Sequence, residues 1–342
     1  MSLPDVVDRV AVVVPVLNEE RYIESCLEPL LRQAASIDAT VMVFDGGSSD
    51  ATRQIVTRMQ AVHPHLVLHD NPGRLQSVAV NLAARLAPPD VTVLVRADAH
   101  AGYPPHFVAT CVEALRTQNA TSVVVPMRTV GVGGMQRAIA AVQNSRMGNG
   151  GSAHRAAGTK SGFVDHGHHA AFDRAFFQAI GGYDETFSHN EDAELDERAR
   201  QAGGRIWMCV DATIDYFPRN RLGPLARQYF RYGAGRAGTL LKHQVPPRLR
   251  QMAAPAILIA CLGGLLLEPL RPWFALAPVA YALGCAVWGG IAAVRRRDPW
   301  LLAIAPAAMT VHFSWAAGFL STILAAMRAR SPLYFPPPVR AG

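Results

Sequence analysis

The chain has 342 residues, of which half are hydrophobic and only 17% are charged. With a positive mean hydropathy, this composition excludes a uniformly soluble enzyme and indicates membrane segments. The net charge is +7, and the basic residues concentrate at 219–250 and 295–297, beside hydrophobic segments, which favours phospholipid over nucleic acid as a partner. The five cysteines are widely spaced without a CxxC pair, which argues against a disulfide framework or zinc site and fits a reducing cytoplasm. The N-terminal residues lack the basic region of a signal peptide, so none is predicted.

Apolar β-branched runs alternate with helical segments in the first part of the chain. Strands are predicted at residues 10–14, 41–44, 66–68, 91–95 and 121–126, and helices at residues 18–33, 51–62 and 75–86. Strands that alternate with helices at this spacing predict an α/β fold with a mainly parallel sheet and helices on both faces. The run 91–95 is apolar throughout, so it is predicted to be buried on both faces.

Polar side chains follow three successive predicted strands. Glu19, Asp45 and Asp98 stand where these strands end, and the carboxyl ends of parallel strands lie along one edge of a sheet, so the three can face a single ligand. Asp98 and His100 are two positions apart and leave an extended chain on the same side. They are therefore candidates for a divalent cation site, with a solvated Asp and a surface His as the alternative.

Three later segments allow more than one interpretation. Residues 146–162 are rich in Gly, Ser and Arg and have no period, which predicts a mobile lid, with a spacer loop as the alternative. His166, His168 and His169 resemble a metal cluster, but no carboxylate or cysteine stands at a matching spacing, so turn and acceptor-pocket roles are favoured. The segment that begins at residue 188 predicts a helix with carboxylates at 191, 192, 194 and 196, which in isolation fits a solvated first turn.

Six short motifs in a consistent order resemble a family-2 glycosyltransferase of the GT-A fold. They are VPVLNEE at 14–20, DGGSSD at 45–50, DAH at 98–100, GGYDE at 181–185, NED at 190–192 and QYFRY at 228–232. The stretches RADAHAGYPP, NEDAELD and YGAGRA are most similar to the bacterial exopolysaccharide subgroup of succinoglycan-biosynthesis glucosyltransferases. The resemblance covers residues 10 to about 240 and implies a Rossmann-like, mainly parallel sheet with flanking helices, followed by an α-helical transmembrane region.

The resemblance also implies a metal-dependent, inverting hexosyltransferase and assigns roles to residues. Asp98 and His100 occupy the DxD position and would hold Mn²⁺ or Mg²⁺, and the imidazole suits Mn²⁺ better. Asp192 would be the base that deprotonates the acceptor, with Glu191 beside it. The implied donor-binding residues are Pro15, Asn18, Glu19, Asp45, Gly73, Arg74, Asp98, Gln228 and Arg231. The acceptor-binding residues would be His166, His168 and Asp184.

The last third of the chain is predicted to contact membrane. Residues 222–242 alternate apolar and basic side chains at helical spacing, which predicts a helix at the membrane surface, with a soluble surface helix as the alternative. Its Arg227, Arg231, Arg236 and Lys242 would face anionic lipid and phosphate. Apolar stretches at 251–267, 273–294 and 299–327 predict about three membrane spans.

The arginines between these spans predict an orientation. Under the positive-inside rule, residues 242–250 and 295–297 lie in the cytoplasm together with the catalytic domain. The tail, with Arg328, Arg330 and Arg340, would then lie outside, against the rule. Either the third segment is a re-entrant hairpin or the tail is an exception.

The predicted organisation is a GT-A domain at 1–220, interfacial helices at 221–248, spans at 249–330 and a tail at 331–342. The predicted function is transfer of a sugar from a UDP-hexose, by resemblance UDP-glucose, to a polyprenyl-linked glycan at the bacterial inner membrane. Alternatives are a polyprenyl-phosphate glycosyltransferase, a processive polysaccharide synthase and a non-catalytic nucleotide-sugar-binding regulator. Tyr232 stands where membrane-bound members carry Trp, which argues against processive synthesis.

Overall fold

The computed structural model describes residues 8–151, 155 and 158–329. They form two compact units. The first contains the described residues up to Met127 and those from Gly158 to Tyr216, and the second contains the described parts of Arg128–Ala157 and of the chain from Phe217 onward. The predicted boundary at residue 220 lies close to this junction, whereas residues 128–157 belong to the second unit. The predicted tail at 331–342 lies outside the described residues.

The secondary structure follows the alternation predicted from the sequence. The strands are β1 (Arg9–Val16), β2 (Thr40–Asp45), β3 (Leu66–Asp70), β4 (Val91–Arg96), β5 (Ala101–Gly102), β6 (Ser122–Val125), β7 (Met127–Thr129), β8 (Gly162–Phe163), β9 (His168–Asp173), β10 (Ile206–Met208) and β11 (Ile214–Tyr216). The helices are α1 (Ile23–Ser36), α2 (Thr52–Gln60), α3 (Gln76–Leu86), α4 (Phe107–Thr117), α5 (Gly134–Gln143), α6 (Arg146–Asn149), α7 (Arg174–Ala179), α8 (Glu191–Gln201), α9 (Leu222–His243), α10 (Leu249–Leu267), α11 (Leu276–Arg296) and α12 (Ile304–Ala329). The five predicted strands are confirmed as β1–β4 and β6.

An eight-stranded sheet forms the first unit, in the order β3-β2-β1-β4-β9-β6-β10-β8. Strands β3, β2, β1 and β4 pair in parallel, as do β6 and β10. Strand β9 lies between β4 and β6 and is antiparallel to both, and β8 is antiparallel to β10. The sheet is therefore mixed, and its first four strands place their carboxyl ends at one edge.

Helices cover both faces of this sheet, as predicted. Val12 and Val14 of β1 belong to an apolar core with α1, α2 and α4. Ala11 and Val13, which point to the opposite face, pack in a second core with α3, α7 and α8. Burial on both faces explains why β1 and β4 read as continuous apolar runs.

The first predicted helix begins later than expected, at Ile23 rather than Asn18. Asn18 has a left-handed backbone with φ of 58°. Its amide donates to Ser48 Oγ at 2.9 Å, and the Glu19 amide donates to Thr52 Oγ1 at 2.8 Å. Ser48 in the turn after β2 and Thr52 at the start of α2 accept these two hydrogen bonds. Residues 18–19 are therefore held against that turn, and α1 begins only at Ile23.

The second unit is helical. Three of its segments are long and apolar enough to cross a membrane: Leu249–Leu267, Pro272–Arg296 and Pro299–Ala329. The last contains α12, which is one continuous helix, so the re-entrant hairpin is wrong. Helix α6 lies within the predicted lid, of which residues 152–154 and 156–157 are outside the described part of the chain.

Candidate active site

The carboxyl end of β4 places Asp98 in a polar network just beyond the sheet. Its Oδ1 accepts hydrogen bonds from Gln76 Nε2 at 3.1 Å and Arg96 Nε at 3.3 Å. The Tyr103 hydroxyl donates to the Asp98 carbonyl at 3.1 Å, which holds the backbone here. Burial acts to raise the pKa of Asp98, but the positive charge of Arg96, followed by that of His168, outweighs it and lowers the pKa to about 2. Asp98 is therefore ionised at neutral pH.

Arg96 connects this carboxylate to the one at the start of α8. Its side chain is 4% exposed, and its Nη1 donates to Asp192 Oδ1 at 2.8 Å. The hydroxyl of Tyr183 lies 3.0 Å from the same Nη1 and donates to Asp192 Oδ1 at 2.6 Å. The structure therefore brings the predicted cation ligand Asp98 and the predicted base Asp192 together on one guanidinium, although they are far apart in sequence.

His168 also lies between these two carboxylates. Its Nε2 is 3.5 Å from Asp98 Oδ2, and its Nδ1 is 3.7 Å from Asp192 Oδ2. This imidazole stands at the start of β9, on the strand that separates β4 from β6. The interpretation of the histidine segment as a turn is wrong for His168 and His169, because they form the first residues of a central strand.

Glu191 and Asp192 differ in their acidity although they are adjacent. Burial raises the pKa of Glu191, the charge of Asp192 adds to this effect, and the pKa reaches about 7. Burial also acts to raise the pKa of Asp192, but Arg96 and then His169 outweigh it, so the pKa is lowered. Asp192 is therefore the more acidic member of the pair.

The remaining carboxylates of α8 are buried rather than solvated. Asp196 is 1% exposed, and its two oxygens lie 2.6 Å from His166 Nδ1 and 2.7 Å from His169 Nε2. Burial acts to raise the pKa of Asp196, but His169 and His166 lower it to about 2. Glu194, which is fully buried, pairs with Arg198 at 2.6 Å. The interpretation of these carboxylates as a solvated first turn is therefore wrong: Glu194 forms an ion pair within α8, and Asp196 joins α8 to His166 and His169.

His100 lies beside Glu19, at the ends of two neighbouring strands. The distance between His100 Nδ1 and Glu19 Oε1 is 3.0 Å. If Nδ1 carries the proton and donates to the carboxylate, the lone pair of the neutral ring is on Nε2, as in many metal-binding histidines. His100 is 41% exposed at its side chain.

The end of β2 supplies a second polar group. Asp45 is buried, and its Oδ1 accepts from the Ser48 amide at 3.0 Å and the Ser48 hydroxyl at 2.6 Å. Asn18 Oδ1 accepts from the Ser49 amide at 2.8 Å. The predicted donor-binding residues Asn18 and Asp45 therefore shape the same turn.

The segment after β3 approaches this turn closely. Arg74 Nε donates to the Gly46 carbonyl at 2.9 Å, and Arg74 has a left-handed backbone. A side chain at Gly73 would come within 2.7 Å of Val78, so only glycine fits there. Pro15 lies in β1 opposite Phe44 of β2. The structure places these predicted donor-binding residues at or near the ends of β1, β2 and β3.

Other predicted site residues have different surroundings. Gln228 and Arg231 belong to α9 of the second unit, where Gln228 Nε2 donates to the Tyr232 hydroxyl at 2.9 Å. His166 is held by Asp196. Asp184 accepts from the amide and hydroxyl of Thr186 at 2.9 and 2.7 Å, which is a local turn. The donor and acceptor roles of these residues stay predictions.

Sequence patterns did not reveal Arg96, Tyr183 and Gln76 as members of the site. One signal was present: a charged residue ends a strand that is buried on both faces, and a buried charge requires a partner. The partners themselves come from α3 and α8 and from the loop before α8, so only the folded chain shows them.

The chain is similar to known glycosyltransferases. Residues 11–181 match the glycosyl transferase family 2 model. The chain is 44% identical over 314 residues to the succinoglycan biosynthesis protein ExoA of Rhizobium meliloti (strain 1021), covering 92% of this chain and 94% of that protein. It is 25% identical over 240 residues, covering 66% of this chain and 72% of the relative, to a Methanococcus voltae protein named dolichyl N-acetyl-alpha-D-glucosaminyl phosphate 3-beta-D-2,3-diacetamido-2,3-dideoxy-beta-D-glucuronosyltransferase.

Among solved structures, the fold is similar to that of a mannosyltransferase from Pyrobaculum calidifontis, a structure in complex with GDP-Man and Mn²⁺. The TM-score is 0.58 at 22% identity, with coverage of 94% of this chain and 89% of that one. This likeness shows the GT-A fold. The family match and the relative of 44% identity show the family as well as the fold. The chain is a member of glycosyltransferase family 2.

Proposed function

We propose that the protein transfers a hexosyl group from a nucleotide-diphosphate donor, UDP-hexose, to a lipid-linked glycan acceptor in polysaccharide biosynthesis. The observation that carries this proposal is the placement of Asp98 and Asp192 on the single guanidinium of Arg96. One carboxylate belongs to the predicted donor side and the other to the predicted acceptor side. A transferase requires both sides within reach of one reacting carbon.

The choice of pathway and acceptor is supported by the relatives. The protein with 44% identity is named for succinoglycan biosynthesis, which supports an exopolysaccharide product. The name of the Methanococcus relative describes transfer to a dolichyl-phosphate-linked sugar, which supports a lipid-linked sugar as acceptor. Three apolar helices in the second unit are consistent with an enzyme at the membrane, where such an acceptor resides.

Asp98 and His100 are the residues that would hold the divalent cation, Mn²⁺ or Mg²⁺. Among the described residues, no group of three or more His, Cys, Asp or Glu is arranged to hold a metal alone. A two-residue set of carboxylate and imidazole fits a cation that completes its coordination with diphosphate oxygens. When bound, such a cation would neutralise charge on the leaving diphosphate as a Lewis acid.

The protein's own groups account for the proton transfer. Asp192 Oδ1 is occupied by Arg96 and Tyr183, so Oδ2 is the oxygen that accepts the proton of the acceptor hydroxyl. As that proton leaves, the hydroxyl oxygen bonds to the anomeric carbon, and the bond from this carbon to the diphosphate oxygen breaks. Attack on the face opposite the leaving group inverts the anomeric configuration. Glu191 is the neighbour of Asp192 in the first turn of α8.

A panel of radiolabelled nucleotide sugars incubated with membranes that contain the protein tests the proposal. We expect label from a UDP-hexose to enter a lipid-linked glycan. Asp192→Asn should lower transfer on the order of 10²- to 10⁴-fold, because the positioned base is lost, while nucleotide binding is retained. Asp211→Asn, at an exposed residue of the first unit, is the matched control. Near-normal turnover by Asp192→Asn would overturn the assignment of the base.

Two further arms separate the alternative functions. Label on polyprenyl phosphate itself, without a glycan primer, would identify a polyprenyl-phosphate glycosyltransferase. Absence of both transfer and donor hydrolysis with every nucleotide sugar would identify a regulator that only binds the donor.

A further inference from the structure

The side chain of Asn81 holds the backbone of Tyr183 at two points. Asn81 lies in α3 and is buried. Its Oδ1 accepts from the Tyr183 amide at 2.8 Å, and its Nδ2 donates to the Tyr183 carbonyl at 2.9 Å. Nδ2 also donates to Glu185 Oε1 at 2.9 Å. The amide group of Asn81 therefore ties the loop before α8 to α3.

The backbone of this loop approaches Asn81 closely. Gly182 has a left-handed backbone with φ of 66°, and a side chain there would come within 2.4 Å of Asn81 Oδ1. Asparagine is an unfavourable residue for the interior of a helix, and a buried amide requires hydrogen-bond partners. The side chain of Asn81 finds these partners in the loop, so the loop and not α3 explains why an asparagine stands at this position.

The ring of Tyr183 is held as firmly as its backbone. Tyr183 is 2% exposed, and its ring lies edge-on to those of Phe172 and Phe177, with centroids 5.9 and 5.6 Å apart. Close packing of this kind leaves a side chain little freedom to move. Asn81 and the aromatic core together therefore set the position of the Tyr183 hydroxyl.

This hydroxyl lies between Arg96 and Asp192. A guanidinium only donates, so the hydroxyl accepts from Arg96 Nη1 at 3.0 Å and donates its own hydrogen to Asp192 Oδ1 at 2.6 Å. The contact at Oδ1 orients the carboxylate, and Oδ2 is the oxygen assigned to the acceptor hydroxyl. Because a base must lie within hydrogen-bond reach of the proton that it accepts, a displaced Tyr183 hydroxyl would turn Oδ2 away from that proton.

We propose that Asn81 is a positioning residue for the transfer reaction and acts through the Tyr183 hydroxyl on the carboxylate of Asp192. The inference rests on the proposed function, because it takes Asp192 as the base. It also gives α3 a second role in the candidate site. Gln76 of this helix contacts Asp98, so one helix supports both carboxylates, one directly and the other through Tyr183.

Separate measurement of kcat and KM tests the proposal in membranes that contain the full chain. The donor is radiolabelled UDP-glucose, or the UDP-hexose that the panel of donors identifies, and the acceptor is the lipid-linked glycan of the host membranes. Asn81→Ala should lower kcat about 10- to 100-fold, because misplacement of a reacting group has costs of this order. The KM for the donor should stay unchanged, because the donor-binding residues are not displaced.

Asn144→Ala is the matched control for the loss of a buried amide contact. Asn144 holds the amide and the carbonyl of Thr129 in the same two-point manner, at 3.0 and 2.8 Å, but within the second unit. We expect Asn144→Ala to keep the kcat of the unmodified protein.

A double-mutant cycle separates positioning from a general loss of structure. Tyr183→Phe removes only the hydroxyl and keeps the ring beside Phe172 and Phe177, so it should lower kcat to an extent similar to that of Asn81→Ala. If Asn81 acts through this hydroxyl, its replacement in the Tyr183→Phe background should cause no further loss. Losses that multiply in the double variant would mean that Asn81 acts on stability alone, and would overturn the proposal.

A second variant covers the case in which Asn81→Ala does not fold. Asn81→Asp has the same size and keeps an acceptor for the Tyr183 amide, but it cannot donate to the Tyr183 carbonyl. Its kcat should fall in the same way, and a normal kcat would overturn the proposal.

The same measurements distinguish failure of this inference from failure of the proposed function. Normal kcat values for the Asn81 variants, together with a loss of transfer in Asp192→Asn, would overturn the role of Asn81 and leave the proposed function standing. Near-normal turnover by Asp192→Asn would overturn both the assignment of the base and the role of Asn81.

Discussion

Arg96 is the residue on which the two halves of the candidate site depend. It lies at the end of β4 with 4% of its side chain exposed, and it contacts both Asp98 and Asp192. Two buried carboxylates close together repel each other and would retain protons, so a fixed positive charge between them keeps both ionised. The guanidinium suits this position because it donates to the two carboxylates from two different nitrogens, Nε and Nη1, held in one rigid plane, whereas an ammonium carries all its donors on a single nitrogen.

Replacement of Arg96 by Lys should therefore shift the pH dependence of transfer. Arg96 lowers the pKa of Asp192 against the effect of burial, and a lysine that serves only one carboxylate would leave this pKa higher. Since the ionised form is the base, the acidic limb of kcat should move to higher pH. The measurement is a pH profile of transfer at saturating donor, with Arg116→Lys as control because Arg116 pairs with Asp8 and Asp173 instead. An unchanged acidic limb would remove Arg96 from this role.

The proposed role of His100 as a metal ligand, with its ring oriented by Glu19, predicts that transfer requires a divalent metal. EDTA should stop transfer and Mn²⁺ should restore it. Glu19→Gln should raise the Mn²⁺ concentration needed about 10- to 100-fold, as changes to the partner of a ligating histidine commonly do, because the contact at 3.0 Å orients the ring. His65→Ala, at an exposed histidine after α2, is the matched control. Full activity in excess EDTA would show that Asp98 and His100 do not bind a required metal.

At the scale of elements, local patterns predicted most of the first unit. Strands β1, β2 and β4 were readable because burial on both faces produces unbroken apolar runs. Strand β9 was not, because it begins with two histidines, and its place between β4 and β6 depends on pairing with strands distant in sequence. Asp98 and Asp192 stand in recognisable motifs, whereas Arg96 and Tyr183 acquire their roles only when β4 and α8 come together.

The contact between α9 and α12 predicts a sharp difference between glycines. Gly318→Ala should destabilise the second unit, because its Cβ would meet the Phe230 carbonyl at 1.9 Å and force the helices apart. Overpacking of this kind costs about 1–3 kcal/mol. Gly263→Ala in α10, where nothing lies within 4 Å of the added carbon, should be neutral or stabilising by about 0.5–1 kcal/mol. Thermal unfolding in detergent should show a lower Tm than that of the unmodified protein for Gly318→Ala but not for Gly263→Ala. Equal Tm values for the two variants would contradict the close packing of α9 and α12.

At the scale of the whole molecule, the two units have different surfaces. The first is an α/β unit whose large apolar residues are mostly in its cores. The second exposes many large apolar residues on α10 and α11, among them Ile259, Leu266, Leu283 and Val294. Soluble proteins rarely leave contiguous apolar surface of this kind open to water, so lipid is the medium that fits it. This division follows from hydropathy alone and was predictable, although the assignment of residues 128–157 to the second unit was not.

These surfaces predict how the protein is held at the membrane. If apolar contact with lipid dominates, neither about 1 M salt, which screens charges beyond roughly 3 Å, nor alkaline carbonate should release the protein, whereas detergent should. Arg295, Arg296 and Arg297 replaced together by Gln should leave this resistance unchanged, because the arginines act on orientation rather than on insertion. The measurement is the fraction of protein in the pellet after each wash, with a known peripheral protein in the same membranes as control. Release by salt alone would mean that the basic residues, and not α10 and α11, provide the attachment.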